Sequence, residues 1–289
     1  MKTIAVIGAG TMGNGIAHVF AQFGYSVTLI DVSVPQLEKA VQTIKRNLGR
    51  QVEKGVITAG QEESAIKNIT TASSMAVGVK NAELVIEAAT ENAELKMKIF
   101  RELDEVASPG TILATNTSSI SITRIASSTK RPQKVIGMHF MNPVPIMKLV
   151  EIINGYATDP LVTNAIVELT RDIEKVPCVV NDYPGFIANR ILMPMINEAI
   201  YSYYEGVAGI ETIDTIMKLG MAHPMGPLQL ADFIGLDVCL AILKVLYEGF
   251  GNPKYAPCPL LVNMVAAGKL GVKSSEGFYR YEGGKIVGK

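Results

Sequence analysis

Short unbroken apolar runs alternate with longer segments in which apolar residues recur every three or four positions, and this pattern holds to about residue 183. Ile4 to Ile7 is such a run, as in a parallel strand covered on both faces, and Ile16, Val19, Phe20 and Phe23 follow at helical spacing until Gly24. Ser26 to Ile30 predicts a second strand. Pro35 suits the first turn of a helix that runs to about Lys54 and carries Leu37, Val41, Ile44, Leu48 and Val52. The same reading predicts a short helix over 58–67, strands over 68–71 and 84–89, and a helix from Ala93 to about Ala107 stopped by Ser108-Pro109-Gly110. Further strands are predicted over 111–114, 134–140, 149–153 and 176–180, with a short helix after residue 119 and a longer one over 159–173. Regular alternation with apolar strands predicts a doubly wound sheet.

At Tyr183-Pro184-Gly185 the pattern changes to helices alone. The first, from Phe186 to about Glu205, is apolar over most of its circumference and is expected to be buried. Helices near 210–220, 226–248 and 259–268 follow. Tyr201, Tyr203, Tyr204 and the Met residues here are expected in core or subunit interface.

The first strand runs directly into Gly8-Ala9-Gly10-Thr11-Met12-Gly13, a GxGxxG in its proper place. Gly8 permits the tight turn, Gly10 lets backbone approach a pyrophosphate, Gly13 lets the helix pack on the strand, and the helix N-terminus points N–H groups at an anion. Asp31 closes the second strand, where a carboxylate can accept from a ribose diol. It would repel a 2′-phosphate, and Val32 and Ser33 supply no Arg to hold one, so NAD is expected over NADP. The expected fold is therefore α/β, with an N-terminal Rossmann-type doubly wound sheet over 1–184 and a C-terminal all-helical domain over 185–289.

The 289 residues suffice for two domains, and Lys+Arg 27 against Asp+Glu 27 gives no global field for nucleic acid or an anionic membrane. Any anionic partner must be bound locally. Cys178, Cys239 and Cys258 lack zinc-type spacing and are expected to be buried small hydrophobes in a reducing compartment. Without a leader or a long apolar stretch, the expected location is cytoplasmic, with no membrane partner. The helix after Asp31 crowds Arg46, Arg50 and Lys54 onto one face, either as a solvated surface or as a dock for a phosphorylated substrate handle.

Of three histidines, His18 and His223 are expected to be structural or solvent-exposed. His139 ends the 134–140 strand, at the edge where ligands of open α/β sheets lie. An imidazole there can take the hydroxyl proton when a hydride leaves an alcohol carbon. Glu151 is an acid among apolar neighbours in a strand, so it is expected to be buried and to want a cation; paired with His139 it would fix the tautomer. Glu91 and Lys96, just past the 84–89 strand, fall on the cofactor side.

These residues sit in a longer set of motifs: GAGTMG at 8–13, EAATEN at 87–92, ATNTSS at 114–119, GMHFMNPVPIMKLVEII at 137–153, PGFIANRI at 184–191, HPMGPLQLADFIGLD at 223–237 and GVKSSEGFY at 271–279. Over essentially its whole length the chain resembles the L-3-hydroxyacyl-CoA dehydrogenases and, within them, is similar to the bacterial short-chain 3-hydroxybutyryl-CoA enzymes. The resemblance implies NAD-linked interconversion of (S)-3-hydroxyacyl-CoA and 3-oxoacyl-CoA by a homodimer joined through its C-terminal domain. It implies His139 as base, Glu151 as its partner, Ser118 as a hydroxyl contacting substrate and cofactor, and Asn189 as donor to the substrate carbonyl. It places Gly8, Gly10, Thr11, Met12, Gly13, Asp31, Glu91, Lys96, Asn116, Ser118, Asn142 and Lys273 around NAD, and Lys54 with Arg50 on the CoA side. From the residues alone, Ser118 could equally cap the following helix and Asn189 could bond backbone. The alternatives are another β-hydroxyacid dehydrogenase, which usually relies on a second-domain lysine absent here before Lys218, and a non-enzymatic NAD-binding protein of the same fold.

Overall fold

The computed structural model describes residues 1–288. The chain divides into two compact units, Met1–Tyr183 and Pro184–Lys289. In the first, the order is β1 (Thr3–Ile7), α1 (Thr11–Gln22), β2 (Ser26–Ile30), α2 (Val34–Glu53), α3 (Ala59–Lys67), β3 (Ile69–Ala72), α4 (Met75–Gly78) and β4 (Leu84–Glu87). It continues with α5 (Ala93–Val106), β5 (Ile112–Thr115), α6 (Ile122–Ala126), β6 (Val135–Phe140), β7 (Leu149–Asn154), α7 (Pro160–Asp172) and β8 (Val176–Asn181).

The eight strands form one sheet in the order β3-β2-β1-β4-β5-β6-β7-β8, and the crossover from β3 back past β1 to β4 makes the switch point of a doubly wound fold. All neighbours are parallel except β6 and β7, which run antiparallel. Residues of β4, β5 and β6 are buried throughout, as apolar runs covered on both faces require. The helices start where side chains satisfy free amides: Ser33 accepts from Gln36 N, Thr58 and Gln61 form a reciprocal capping box, Asn92 accepts from Leu95 N, and Asp159 accepts from Leu161 N. Helix α2 buries Leu37, Ala40, Ile44 and Leu48 at spacings of three and four, which leaves its charged stripe facing away. Phe20 of α1 meets Phe140 of β6 edge to face, ring centroids 6.4 Å apart, so the first helix packs on the strand that carries His139.

The second unit contains α8 (Ala188–Tyr204), α9 (Ile210–Gly220), α10 (Pro227–Ile234), α11 (Leu236–Phe250) and α12 (Pro259–Ala266), with a hairpin of β9 (Arg280–Glu282) and β10 (Lys285–Gly288) in addition to the helices. The helix expected over 226–248 is two, because Gly235 takes φ of +105°, outside the helical range. Helix α8 is not buried all round: Met193, Ile196, Asn197, Ala199 and Ile200 are buried, whereas Ile191 and Tyr204 are more than half exposed. Two wholly buried acids hold the C-terminal segment. Asp232 of α10 accepts from Phe278 N at 2.9 Å, Tyr279 N at 2.9 Å and the Tyr281 hydroxyl at 3.0 Å. Asp214 of α9 accepts from Leu228 N, Gln229 N and, at 2.8 Å, the Tyr279 hydroxyl. Burial pushes the Asp232 carboxyl up despite those donors. Cys239 and Cys258 are buried, but Cys178 is exposed on β8, contrary to its expected place in the core. Among the described residues no helix is long and apolar enough to cross a membrane.

Candidate active site

Strand β1 ends at Ile7 and Gly8 turns the chain with φ of +96°, a value that disfavours any side chain. A Cβ added at Gly13 would lie 1.7 Å from the Gly8 carbonyl oxygen, so α1 starts hard against the turn. Gly10 caps α1 in extended conformation without any side-chain bond to the first-turn amides, and a Cβ there would meet nothing within 4 Å. The loop thus offers helix N–H groups, with Thr11 and Met12 in the first turn, to an anion that approaches over Gly10. Asp31 also holds this loop: its Oδ2 accepts from Ala9 N at 2.8 Å and its Oδ1 from Ser33 N at 2.9 Å. A cleft of about 270 Å³ at this loop counts Ala9, Thr11 and Asn142 among its lining residues.

The ends of β4 and β5 carry a second cluster. Glu87, wholly buried at the end of β4, accepts from Lys96 Nζ at 2.7 and 2.9 Å, from the Thr115 hydroxyl at 2.7 Å and from Ala89 N at 2.6 Å. Lys96 is equally buried, donates also to Ala89 O, and lies 3.6 Å from Glu91 Oε2. It stands behind Glu91, not at the surface. Glu91 Oε1 gathers the loop after β5, accepting from Thr117 Oγ1 at 2.6 Å, Ser118 N at 3.0 Å and Ser119 N at 3.1 Å. Burial alone would raise the Glu91 carboxyl, but these donors and the nearby Lys96 charge outweigh it and hold the group below the usual glutamate range. Asn116 Oδ1 accepts from Phe140 N at 2.9 Å, which ties the same loop to the end of β6.

His139 and Glu151 are register partners across β6 and β7, and His139 Nδ1 meets Glu151 Oε2 at 2.8 Å. Both are buried, at 9% and 3% exposure, so this acid is no surface residue on an edge strand. With Nδ1 directed at the carboxylate, the other ring nitrogen is Nε2. The loop between these strands is held from beneath by Lys175, whose buried ammonium donates to Val144 O and Met147 O at 2.7 Å each. Burial pulls this lysine below its ordinary range.

Arg50 and Lys54 line a cleft of about 630 Å³ that the 143–148 loop closes from the other side with Lys148. Glu174 is the acid among its lining residues. Arg46, on the same stripe in sequence, is not part of that lining. In the C-terminal unit, Asn189 sits in the first turn of α8, its N–H donating to Gly185 O at 3.2 Å, and Lys273 Nζ donates to Asp237 Oδ2 at 2.6 Å.

Sequence reasoning missed Glu87 and Lys175. The signal for Glu87 was an acid closing an otherwise apolar strand with a lysine nine positions on, which reads as an ordinary strand end until burial is known. His18 is wholly buried: its Nε2 faces both Gln22 Oε1 and Gln51 Nε2 at 3.1 Å, and its Nδ1 lacks a hydrogen-bond partner.

The family model for the NAD-binding domain of 3-hydroxyacyl-CoA dehydrogenase matches residues 3–183, and that for the C-terminal domain of the same enzymes matches residues 185–281. The chain is 54% identical to a 3-hydroxybutyryl-CoA dehydrogenase of Bradyrhizobium diazoefficiens over 99% of its own length and 98% of the relative's. It is 41% identical to the human mitochondrial hydroxyacyl-coenzyme A dehydrogenase, covering 98% of this chain and 92% of that one. The crystal structure of (S)-3-hydroxybutyryl-CoA dehydrogenase from Ralstonia eutropha superposes with a TM-score of 0.96 at 47% identity, covering 98% and 99% of the two chains. The glycine loop, the two-domain architecture and these likenesses agree: the chain belongs to the NAD-dependent 3-hydroxyacyl-CoA dehydrogenase family.

Proposed function

We propose that this protein interconverts (S)-3-hydroxybutyryl-CoA and acetoacetyl-CoA with NAD(H), using His139 as general acid and base and Glu151 as its partner. The observation that carries this reading is the buried 2.8 Å contact between His139 and Glu151 at the end of a Rossmann-type sheet. The residues fit the cofactor: the open space over Gly10, the uncapped amides of α1 and Asp31 at the end of β2 suit pyrophosphate and ribose. When bound there, NAD(H) supplies or accepts the hydride at the substrate's C3.

The chain's own residues do the rest. In oxidation His139 Nε2 takes the proton of the 3-hydroxyl as the hydride departs, and in reduction it returns that proton to the 3-oxo oxygen. Glu151 holds the ring in one tautomer and stabilises the imidazolium. Ser118, placed by Glu91, donates to the substrate oxygen, and Asn189 donates to the thioester carbonyl, where charge builds up. Asn142, Asn116, Glu91 and Lys273 belong to the cofactor side of this reading, with Lys96 acting through Glu91. Arg50 and Lys54 hold the phosphates of CoA in the 630 Å³ cleft.

Values of kcat/KM for acetoacetyl-CoA and longer 3-oxoacyl-CoA esters, each with NADH and NADPH, test the reading. The expected result is turnover greatest with acetoacetyl-CoA and NADH. Absence of turnover on every ester would sink it. A homodimer through the C-terminal unit belongs to the same proposal, supported by exposed Phe233, Leu219 and Ile216 on that unit. Light scattering that returns a 31.1 kDa monomer at assay concentration would remove it.

A further inference from the structure

The ion cluster at the end of β4 lies one layer behind the residues assigned to cofactor and substrate. Glu87 offers its carboxylate to three donors besides holding its strand register with Ile7 and Thr115. Of these, Lys96 is the charged one, and its ammonium is divided among Glu87 at 2.7 and 2.9 Å, Ala89 O at 3.3 Å and Glu91 Oε2 at 3.6 Å. The unequal division has a direction. Glu87 takes the full contact, so Lys96 attracts Glu91 without drawing it out of the loop, and Glu91 Oε1 is left for Thr117, Ser118 and Ser119.

We infer that Glu87 is a positioning residue for the cofactor end of the site, acting by anchoring Lys96 so that Glu91 stays on the loop that presents Ser118. The inference rests on the reading of Glu91 and Ser118 as ligand-facing residues. Neutralising Glu87 leaves a buried ammonium short of its main partner, a state that proteins relieve by finding another anion. Glu91 is the anion within reach. As Lys96 closes on it, the bonds from Thr117, Ser118 and Ser119 lengthen, and the loop between β5 and α6 loses the acceptor that shapes it. A carboxylate that only held the fold together would lower stability on removal and leave the folded protein's affinity for NADH untouched.

The experiment is a double-mutant cycle on the full chain, with NADH dissociation constants read by fluorescence and the folded fraction by circular dichroism. Glu87→Gln, nearly isosteric, is expected to weaken NADH binding about ten-fold in the folded protein, within the range of coupled neighbouring groups. Lys96→Met is expected to weaken it comparably, and Glu87→Gln combined with Lys96→Met to be no worse than Lys96→Met alone, because the first residue acts through the second. Wild-type affinity in folded Glu87→Gln, or effects that simply add, would overturn the inference. Should Glu87→Gln not fold, Glu87→Asp keeps the charge at shorter reach and enters the same cycle. Glu91→Gln separates the two levels of the argument. If it binds NADH as wild type does, the reading of Glu91 falls and the inference with it; if it binds weakly while Glu87→Gln binds normally, the inference alone falls.

Discussion

His139 and Glu151 meet at 2.8 Å because they are directly opposed on antiparallel strands, the one antiparallel pair in an otherwise parallel sheet. Opposed residues on one face of such a pair lie within direct side-chain reach, and the register is fixed by the burial of their apolar neighbours. Met138 beside Ile152 and Phe140 beside Val150 are those neighbours. The acid and the imidazole are therefore aligned by the sheet itself, before any ligand arrives.

Replacement of His139 by Gln is expected to keep the fold and NADH binding and to lower kcat by about 10²–10⁴, the span usual for a positioned acid or base. Steady-state kinetics with acetoacetyl-CoA and an NADH titration check both halves. Turnover near that of wild type would end the assignment.

Glu151→Gln is expected to lower kcat while leaving the fold and NADH binding in place, since the ring loses the carboxylate that orients it. Steady-state rates in both reaction directions, with circular dichroism on the same samples, check this. Undiminished turnover would make Glu151 a purely structural member of β7.

In the proposed reading the basic cleft holds the substrate's far end. Lys54→Ala should raise KM for acetoacetyl-CoA several-fold with a smaller effect on kcat, and added salt should narrow the difference, because exposed charge pairs are screened. A truncated acetoacetyl thioester without the nucleotide should be nearly blind to the change. Equal weakening of both substrates would mean that Lys54 acts through the fold or the cofactor site.

His18 links stability to acid. Burial, opposed by its bond to Gln22 and aided by the Lys175 charge, lowers it from 6.5 to about 4. The unfolded chain then binds a proton that the native one refuses, so stability is lost as pH falls from 6.5 to about 4, by about 3 kcal/mol in all. His18→Gln, which keeps a polar group but cannot titrate, should flatten that decline in urea unfolding at pH 6.5, 5 and 4. Parallel curves for the two proteins would show that His18 titrates normally.

Much of this was legible because it rests on local rules. The apolar runs of β1, β4 and β6, the glycine turn at 8–13 and the burial of Glu151 each follow from burial or backbone sterics within a few residues. The direction of β7 was not legible: an apolar run is the same read either way, and reversal is decided by the 141–148 loop and its anchor on Lys175. The burial of Lys96 was hidden for a related reason, since a lysine near the start of a helix is ordinarily solvated and its main partner, Glu87, comes from another element. The break at Gly235 was masked by continuous apolar periodicity on both sides of it.

The carboxylate of Asp232 has a consequence for the chain's end. Three donors from residues 278–281 converge on it, and Tyr279 reaches on to Asp214, so the final segment docks in its own domain as a ligand docks in a receptor. A chain cut before Gly271 would leave two buried acids short of donors, at about 1–3 kcal/mol for each unsatisfied group. That loss should be recoverable in trans: a synthetic peptide carrying Gly271 to Glu282 has the partners the acids require, and its binding should restore protease resistance to the shortened protein.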